Sequence, residues 1–541
     1  MPAVLLAEAS ASAAVVHSLK PLLAVLCPAV AAPLILLSRN RPNLREFWTL
    51  SAAFSLFAIV ISMAPTILDA GAVECVLFHT IFANLDVAFK VDAFGEIFAI
   101  TASSLWILVS FYSIGYMRSL EEHAQTRYFF CFCWAIFGAV GVAMAKNLLT
   151  LYIFYEILTV STYPLVIHEQ SKEAISAGRK YLAYLMTAGC FLLAATVLTY
   201  YLAGTTDFHA GGIPGLANAA MKVSTVLPAV LLFCFLLGFM KSAWMPFHSW
   251  LPTAMIAPTP VSALLHAVAV VKAGAFGIVR TICFVFGTQA MYETNLWLIT
   301  ALIASFTMIV ASLFAIAQDN LKRRLAYSTI SQLSYIIFGA SLLWNDGVMG
   351  AMLHIPFHGY MKITLFLCAG AIMVVTGKKN ISEMAGVGKE MPITMLAFTV
   401  GALGMCGLPP IAGLVSKLFM CFGAWEWHNH SSLLAFFLLT VIIVSSFLDV
   451  IYFFPIIRTA FFESPSSESS KNERGLKETS PLVLLMVIPL TITAIYSILF
   501  FVLFFAQPVL PQSASDALSL FIFRLAEQAA SATGMSAGVF P

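Results

Sequence analysis

Apolar stretches of about twenty residues recur along almost the whole chain, and no other feature constrains its fold as tightly. A bilayer core asks for about twenty predominantly apolar residues per helix. Runs of that kind begin near Pro21, Phe47, Ala93, Tyr128, Asn147, Lys180, Thr225, Pro260, Leu296, Leu325, Val348, Pro392, Ser432 and Pro481. Charged residues make up only 10% of the chain, against about 25% in an ordinary globular domain. Lipid offers no partner to backbone polar groups, so spans of this type must be helices. The expected fold is therefore an all-α polytopic membrane protein of about fourteen transmembrane helices. No polar stretch between the runs is long enough for a soluble domain, which makes residues 1–541 one membrane domain.

The first run lacks the basic n-region and cleavage site of a removable signal peptide and reads as a retained helix. No lipidation motif is evident. The segment 463–480 reads as a solvated cytoplasmic linker. Residues 481–541 hold the last helix and a short tail, in which 514–530 can form only a short helix.

Alternate loops share lysine and arginine unequally. Eighteen of the 28 fall in the connections around 39–45, 118–127, 172–180, 322–324, 378–389 and 458–477, and six fall in the other set. The basic set is expected to be cytoplasmic, which puts both termini outside. Lys241, Lys272, Lys362 and Lys417 remain, each inside a hydrophobic run. A lysine at the centre of a membrane helix costs about 2.5 to 3.5 kcal/mol on insertion scales, so it needs an interior, a partner or a water path.

Several chemistries are disfavoured. The ten cysteines are scattered, with no CxxC or ligand-spaced cluster, which argues against iron-sulfur or structural zinc sites. No glycine-rich phosphate loop follows a strand, so neither ATP nor a nicotinamide is expected to power the chain directly. A net charge of +2 carries no nucleic-acid signal. No cofactor and no metal are expected in this chain.

The titratable residues inside the runs form patterns. His354, His358 and Lys362 follow one another at i, i+4 spacing, one stripe on one helix face. That stripe can line a wet channel; two histidines at this spacing can also hold zinc, but no acidic third ligand stands nearby. His266 precedes Lys272 by six residues, about 120° around an ideal helix, so direct contact is not expected. His266 suits a proton relay, or can be a buried histidine bonded to a neighbouring helix. His248, in MPFHSWLPT, either gates an entry or caps a broken helix. Pro246, Pro252, Pro409 and Pro410 interrupt two runs and free carbonyls for other partners; Trp244 and Trp250 read as packing residues, Arg323 and Arg324 as cytoplasmic anchors.

An internal duplication is also suggested. Asn147-Leu148, fourteen residues before Ser161, matches Asn320-Leu321, fourteen before Ser334. The fourth helix of each half carries a lysine beside prolines, Lys241 and Lys417. Two five-helix repeats, 128–285 and 295–462, fit both observations.

Five runs carry a family resemblance: NLLTLYIFYEILTVSTYPLV (147–166), KSAWMPFHSWLPTAMIAPTPVSALLHAVAVVKAG (241–274), DNLKRRLAYSTISQLSY (319–335), HGYMKITLFLCAG (358–370) and GLPPIAGLVSK (407–417). Together they resemble the proton-conducting antiporter-type subunits, a family that includes the large pumping subunits of respiratory complex I and subunits of Mrp antiporters and membrane-bound hydrogenases. The resemblance implies fourteen helices, two inverted five-helix repeats, and broken helices 7 and 12.

It also implies roles. Glu156 matches the fifth-helix glutamate and Lys241 the seventh-helix lysine paired with it. Lys272 matches the central lysine, His358 and Lys362 the next relay positions, and Lys417 the twelfth-helix exit residue. His354 matches less closely. A lysine's proton affinity depends on how far its carboxylate partner stands, so varying the separation makes the pair a switch. A proton crossing roughly 150 to 200 mV requires about 3.5 to 4.6 kcal/mol, which a swing of about three pKa units covers.

The expected function is proton translocation by a buried Glu/Lys/His relay, in one subunit of a hetero-oligomeric membrane complex. Sodium/proton exchange and redox-driven pumping by partner subunits both fit; the chain has no redox site of its own, and whether the whole complex is an enzyme stays open. A bacterial cytoplasmic membrane is the expected location. The alternative is a non-pumping structural or coupling subunit, in which the buried charges serve assembly. The short tail after the last run separates the chain from the largest members of the family.

Overall fold

The structure, a computed structural model, describes residues 15–82, 85–464, 476–506 and 518–535. Most of the expected linker, 465–475, lies outside the described residues, as do 514–517 of the expected terminal helix. Helices dominate. The first half contains Lys20–Leu37 (α1), Pro42–Ile61 (α2), Ala64–Ala70 (α3), Ala93–Ser119 (α4), Gln125–Ala143 (α5), Leu148–Val166 (α6), Lys172–Ala203 (α7), Leu216–Val223 (α8), Leu227–Gly238 (α9), Trp250–Thr253 (α10), Thr259–Ala263 (α11) and Val270–Arg280 (α12). Then follow Thr288–Glu293 (α13), Leu296–Ile316 (α14), Leu321–Ser341 (α15), Asn345–Thr376 (α16), Val387–Glu390 (α17), Pro392–Cys406 (α18), Gly413–Trp425 (α19), Ser432–Phe462 (α20), Pro481–Ala506 (α21) and Leu518–Thr533 (α22).

Among the described residues, eleven helical stretches are long and apolar enough to cross a bilayer, or twelve if the bent pair α8–α9 counts as one. They coincide with eleven of the fourteen segments expected from hydropathy. The other three fall short for identifiable reasons. The segment near Thr225 folds as α8 and α9, bent by 119°. That near Leu325 is α15, whose 21 residues include Lys322, Arg323 and Arg324 at one end and the buried Ser328, Thr329, Ser331, Gln332 and Ser334 further on. That near Pro392 is split into the fifteen-residue α18 and the thirteen-residue α19.

Three strands supplement the helices, which hydropathy does not anticipate. Val15–His17 (β1) pairs in parallel with Ala72–Phe82 (β2), which pairs antiparallel with Leu85–Asp92 (β3) in the register Ala72↔Asp92 and Glu74↔Lys90.

The two halves share their punctuation. Asn147 caps α6 by accepting from Thr150 N at 2.8 Å, and Asn320, 173 residues later, caps α15 by accepting from Arg323 N at 3.1 Å. The 32-residue α7 and α16 both end at a left-handed glycine, Gly204 (φ 70) and Gly377 (φ 74), again 173 residues apart. Asn147 bridges to Asp207, and Asn320 to Asn380, across equal spans of chain.

Both proline-bearing runs are broken. After α9 the chain makes one tight turn, Met240–Ser242, and leaves helical geometry until α10. Between α18 and α19 it runs irregularly through Gly407–Ala412. The span from α11 through α12 to Phe286 sits at the centre of the bundle, buried along its whole length.

Candidate functional site

Breaking a membrane helix exposes backbone groups that only protein or water can satisfy. Here side chains do so. At the first break Trp244 Nε1 donates to Leu236 O at 2.9 Å, Trp250 Nε1 to Met240 O at 3.2 Å, and Tyr155 Oη to Gly238 O at 3.0 Å. The two tryptophans thus hold the ends of the break as well as pack. Lys241, on the turn itself, has no exposed surface. Its ammonium donates to the Tyr155 carbonyl and lies 3.2 Å from the centroid of the Tyr155 ring, a cation–π contact.

Glu156 is the next residue of α6 but points elsewhere. The half-buried residue lines a cavity of about 650 Å³ with Phe130, Trp134, Tyr152, Pro164 and Met186, and both its carboxylate oxygens are buried. Neither oxygen has a hydrogen-bond partner in the protein, and no ion pair joins it to Lys241 among the described residues. The expected pair therefore does not touch: Lys241 reaches Tyr155, the residue next to Glu156 on α6, and not the carboxylate. Gly189 of α7 makes room for the carboxylate: a Cβ there would stand 2.5 Å from Oε1.

At the centre, Lys272 on α12 and His358 on α16 share a hydrogen bond of 2.7 Å between Nζ and Nδ1, with both side chains fully buried. His266 lies on a widened π-helical turn, Leu264–Val268, closed by Ala269 N donating to Leu264 O. Such turns often mark functional sites. Its ring packs on Phe366 at 4.7 Å and neither ring nitrogen has a protein partner, so the bonded-to-a-neighbour alternative is not what the structure shows. His248 stands apart, half-buried beside Phe314 and Tyr327, while its backbone oxygen accepts from Leu251 N at 3.0 Å.

The second half holds a continuous network around a residue that sequence reasoning passed over. Asp449, on α20, is fully buried. Oδ2 accepts from Lys417 Nζ at 3.0 Å and Gln332 Nε2 at 2.8 Å; Oδ1 accepts from the Tyr452 hydroxyl at 2.6 Å. Lys417 also donates to Ser446 Oγ at 3.1 Å and to Met405 O at 2.8 Å, a carbonyl in the last turn of α18 before the second break.

From Asp449 the network runs two ways. Gln332 Oε1 lies 3.1 Å from His354 Nε2, and His354 Nδ1 lies 2.9 Å from Ser416 Oγ. A glutamine that gives its amide N–H to a carboxylate must turn its oxygen to the histidine, so His354 carries its proton on Nε2 and accepts at Nδ1. Both nitrogens are thereby engaged, which leaves none for zinc. In the other direction Tyr452 Oη lies 2.8 Å from Ser328 Oγ, which accepts from Lys362 Nζ at 2.8 Å; Lys362 also donates to Leu325 O at 3.2 Å.

The stripe of His354, His358 and Lys362 is thus buried throughout, and its members reach different neighbours: His354 the Asp449 network, His358 the central lysine, Lys362 helix α15. The His354 and His358 rings stack at 5.8 Å. The polar chain is unbroken from Lys362 to Lys417 and from Lys272 to His358; Lys241 joins neither by direct contact. Asp449, Gln332, Tyr452 and Ser328 are additions to the expected set. One signal was available: Asp449 is the one acid in the 31-residue α20.

A bundle of buried lysines, histidines and a carboxylate around broken membrane helices is the build of a polytopic membrane subunit with an intramembrane titratable network. The comparisons with known proteins agree with that class. The chain belongs to the NADH:quinone oxidoreductase/Mrp antiporter transmembrane family, whose profile matches residues 145–443. It is 31% identical over 381 residues to NADH-quinone oxidoreductase subunit N of Desulforudis audaxviator, covering 69% of this chain and 74% of that protein. It is 32% identical over 413 residues to Na(+)/H(+) antiporter subunit A1 of Staphylococcus haemolyticus, covering 73% of this chain and half of the relative. In structure it resembles a chain of the Mrp complex from Dietzia sp. DQ12-45-1b, with a TM-score of 0.78, 19% identity, and 95% and 96% of the two chains covered. A chain of the archaeal membrane-bound sulfane sulfur reductase aligns with a TM-score of 0.77 at 21% identity, over 95% and 98%. At these identities the structural likeness concerns the fold. The protein is an antiporter-like membrane subunit of this family.

Proposed function

We propose that this subunit translocates protons along the buried chain Glu156, Lys241, Lys272, His358, His354, Gln332, Asp449 and Lys417, with Lys362 joined through Ser328 and Tyr452. The carrying observation is the hydrogen-bonded path from Lys362 through Asp449 to Lys417. An assembly role for these charges would need one buried ion pair; it would not need a tyrosine, a serine, a glutamine and a histidine in continuous contact with it. His266, with both ring nitrogens buried and unpartnered, is a further proposed member of the path, and His248, half-buried beside Phe314 and Tyr327, a proposed gate to it. The cavity of about 850 Å³ lined by Glu122, Glu169, Glu173, Lys322, Lys378 and Glu383 lies among the basic loops and is the proposed cytoplasmic mouth.

Glu156 and Lys241 are the proposed switch. Their present separation corresponds to one state of it, with the ammonium held by a carbonyl and a ring and the carboxylate buried without a protein partner. The partners proposed are further membrane subunits of a multisubunit complex, within which Mrp-type exchange and redox-driven pumping remain two forms of one proposal. The two relatives described above carry one name of each kind.

Proton uptake by vesicles containing the complex tests the relay. Glu156→Gln and Lys241→Ala, made separately, should each lower uptake at least tenfold; unchanged uptake in both would sink it. Mass spectrometry of what co-purifies in mild detergent separates the drivers. Iron-sulfur or hydrogenase-type subunits would exclude a simple Mrp complex.

A further inference from the structure

Two connections on the basic-loop face meet and bring together Glu122 and His123, from between α4 and α5, and His168, from between α6 and α7. Glu122 Oε2 lies 3.8 Å from His123 Nδ1 and 3.9 Å from His168 Nε2, and one ligand atom of each residue falls within 4.8 Å of the other two. The two imidazoles stack at 4.8 Å. His168 is fully buried, yet neither of its ring nitrogens has a hydrogen-bond partner in the protein, an arrangement native structures seldom leave unexplained.

His123 is oriented as a metal ligand would be. Its Nε2 lies 2.9 Å from the His168 carbonyl. Donating a proton there leaves the lone pair on Nδ1, the nitrogen nearer Glu122. Histidines that bind metals fix their tautomer by such a bond from the second nitrogen to a carbonyl.

We propose that Glu122, His123 and His168 bind one divalent cation of the zinc class, clamping the two connections together at the rim of the cavity that Glu122 also lines. Ligands about 2.0 to 2.2 Å from a tetrahedral zinc stand about 3.3 to 3.6 Å from one another, so both Glu122 pairs need to close by only about half an ångström. Two imidazole nitrogens with a single carboxylate favour zinc over magnesium or calcium, which prefer all-oxygen sets. The half-exposed His123 side chain gives the ion a way in. Arg127, whose guanidinium donates to the His168 carbonyl at 2.9 Å, opposes the ion; Glu122, and Glu169 on the same cavity wall, carry the opposite charge. Cysteine spacing could not disclose this site, since its ligands are histidines and a glutamate 45 or 46 residues apart on two loops.

The test uses the full chain with its co-purifying subunits, stripped by chelator and then dialysed against zinc chloride, with bound metal measured by elemental mass spectrometry. One zinc per chain is expected at this site, unmatched by magnesium. His123→Ala and Glu122→Gln should each weaken binding at least tenfold, while His428→Ala, at an exposed histidine elsewhere, should leave it unchanged. Zinc should also raise the melting temperature of the unaltered complex and not that of His123→Ala. Because His123 is exposed, that variant keeps its fold, and an unchanged melting curve without zinc verifies this. Equal zinc binding by His123→Ala and the unaltered protein, or no zinc retained by the latter, would overturn the proposal.

Discussion

The two halves of the molecule treat the same chemical pair in opposite ways. In the first, a lysine on the broken helix and a carboxylate on α6 stand near one another untied: Lys241 rests on a carbonyl and an aromatic ring, and Glu156 lines a cavity with no protein partner. In the second, Lys417 on the other broken helix is locked to Asp449, and two further side chains hold the same carboxylate. The carboxylate comes from a different place. Glu156 is nine residues beyond the capping Asn147, and the same offset from Asn320 falls on Thr329, whose hydroxyl merely donates back to Leu325 O at 2.9 Å. The second half has moved its acid to α20. A pair meant to change its separation cannot also be fully bonded, so the contrast reads as a switch at one end and a fixed terminus at the other.

The largest effect should come from breaking the locked end. Removing one partner of a buried ion pair leaves an uncompensated charge and costs about 3 to 5 kcal/mol. Asp449→Ala should therefore lower the melting temperature and yield of the complex sharply and abolish proton uptake. Adding Lys417→Met should restore much of the stability, because no charge is then stranded, while uptake stays absent. If the double variant is no more stable than Asp449→Ala, the pair is not the unit described.

Tyr452→Phe should follow in size. It removes one hydrogen bond to the carboxylate, worth about 1.5 to 3 kcal/mol for a charged acceptor, and it cuts the link from Asp449 to Ser328 and Lys362. Slower uptake with the Lys417 contact retained is the expected result, read by uptake and melting together. Full uptake in this variant would remove Lys362 from the path.

These two predictions turn on Asp449 and Tyr452, which hydropathy and charge counting did not single out, and the reason is physical. The lysines are legible because a cation in an apolar run stands out wherever its partner is. Asp449 acquires meaning only through Lys417, 32 residues earlier, and Gln332, more than a hundred earlier, and that proximity is a product of packing. The helical architecture and both breaks are legible because length, apolarity and proline act locally. The strands β2 and β3 escaped because Ala72–Phe82 is apolar without clean alternation. Helix α15 was found by its apolar end near Leu325, although its buried serines, threonine and glutamine give it the polarity of a network rather than of a lipid-facing span. His266 and Lys272 could not be placed from an ideal helix, since His266 sits on a widened turn, Leu264–Val268.

Gly189→Ala should have the third largest effect, and it acts on the untied end. A methyl group there would meet Glu156 Oε1 at 2.5 Å and Cδ at 2.7 Å. Overpacking of this kind costs about 1 to 3 kcal/mol when neighbours cannot yield. The carboxylate, lacking partners, can yield by turning into the cavity beside it, so the expected cost lies at the low end of that range. The change should show in uptake more than in melting, and a large loss of stability would mean that Glu156 is held more firmly than its contacts indicate.

Glu156→Gln is the sharpest form of the comparison because its expected effect on stability is the smallest. The substitution keeps shape and removes the charge from a side chain that no protein group pairs with, so melting should shift by less than about 0.5 kcal/mol, as for a change away from any bonded network. Proton uptake should nonetheless fall at least tenfold. Asp449→Asn, the matching isosteric change at the locked end, strips the charge that Lys417 requires and should lose both stability and uptake. The two halves therefore predict different couplings of stability to transport for the same chemical edit. Equal melting shifts in Glu156→Gln and Asp449→Asn would erase the distinction between a loose and a locked carboxylate, whatever either variant does to uptake.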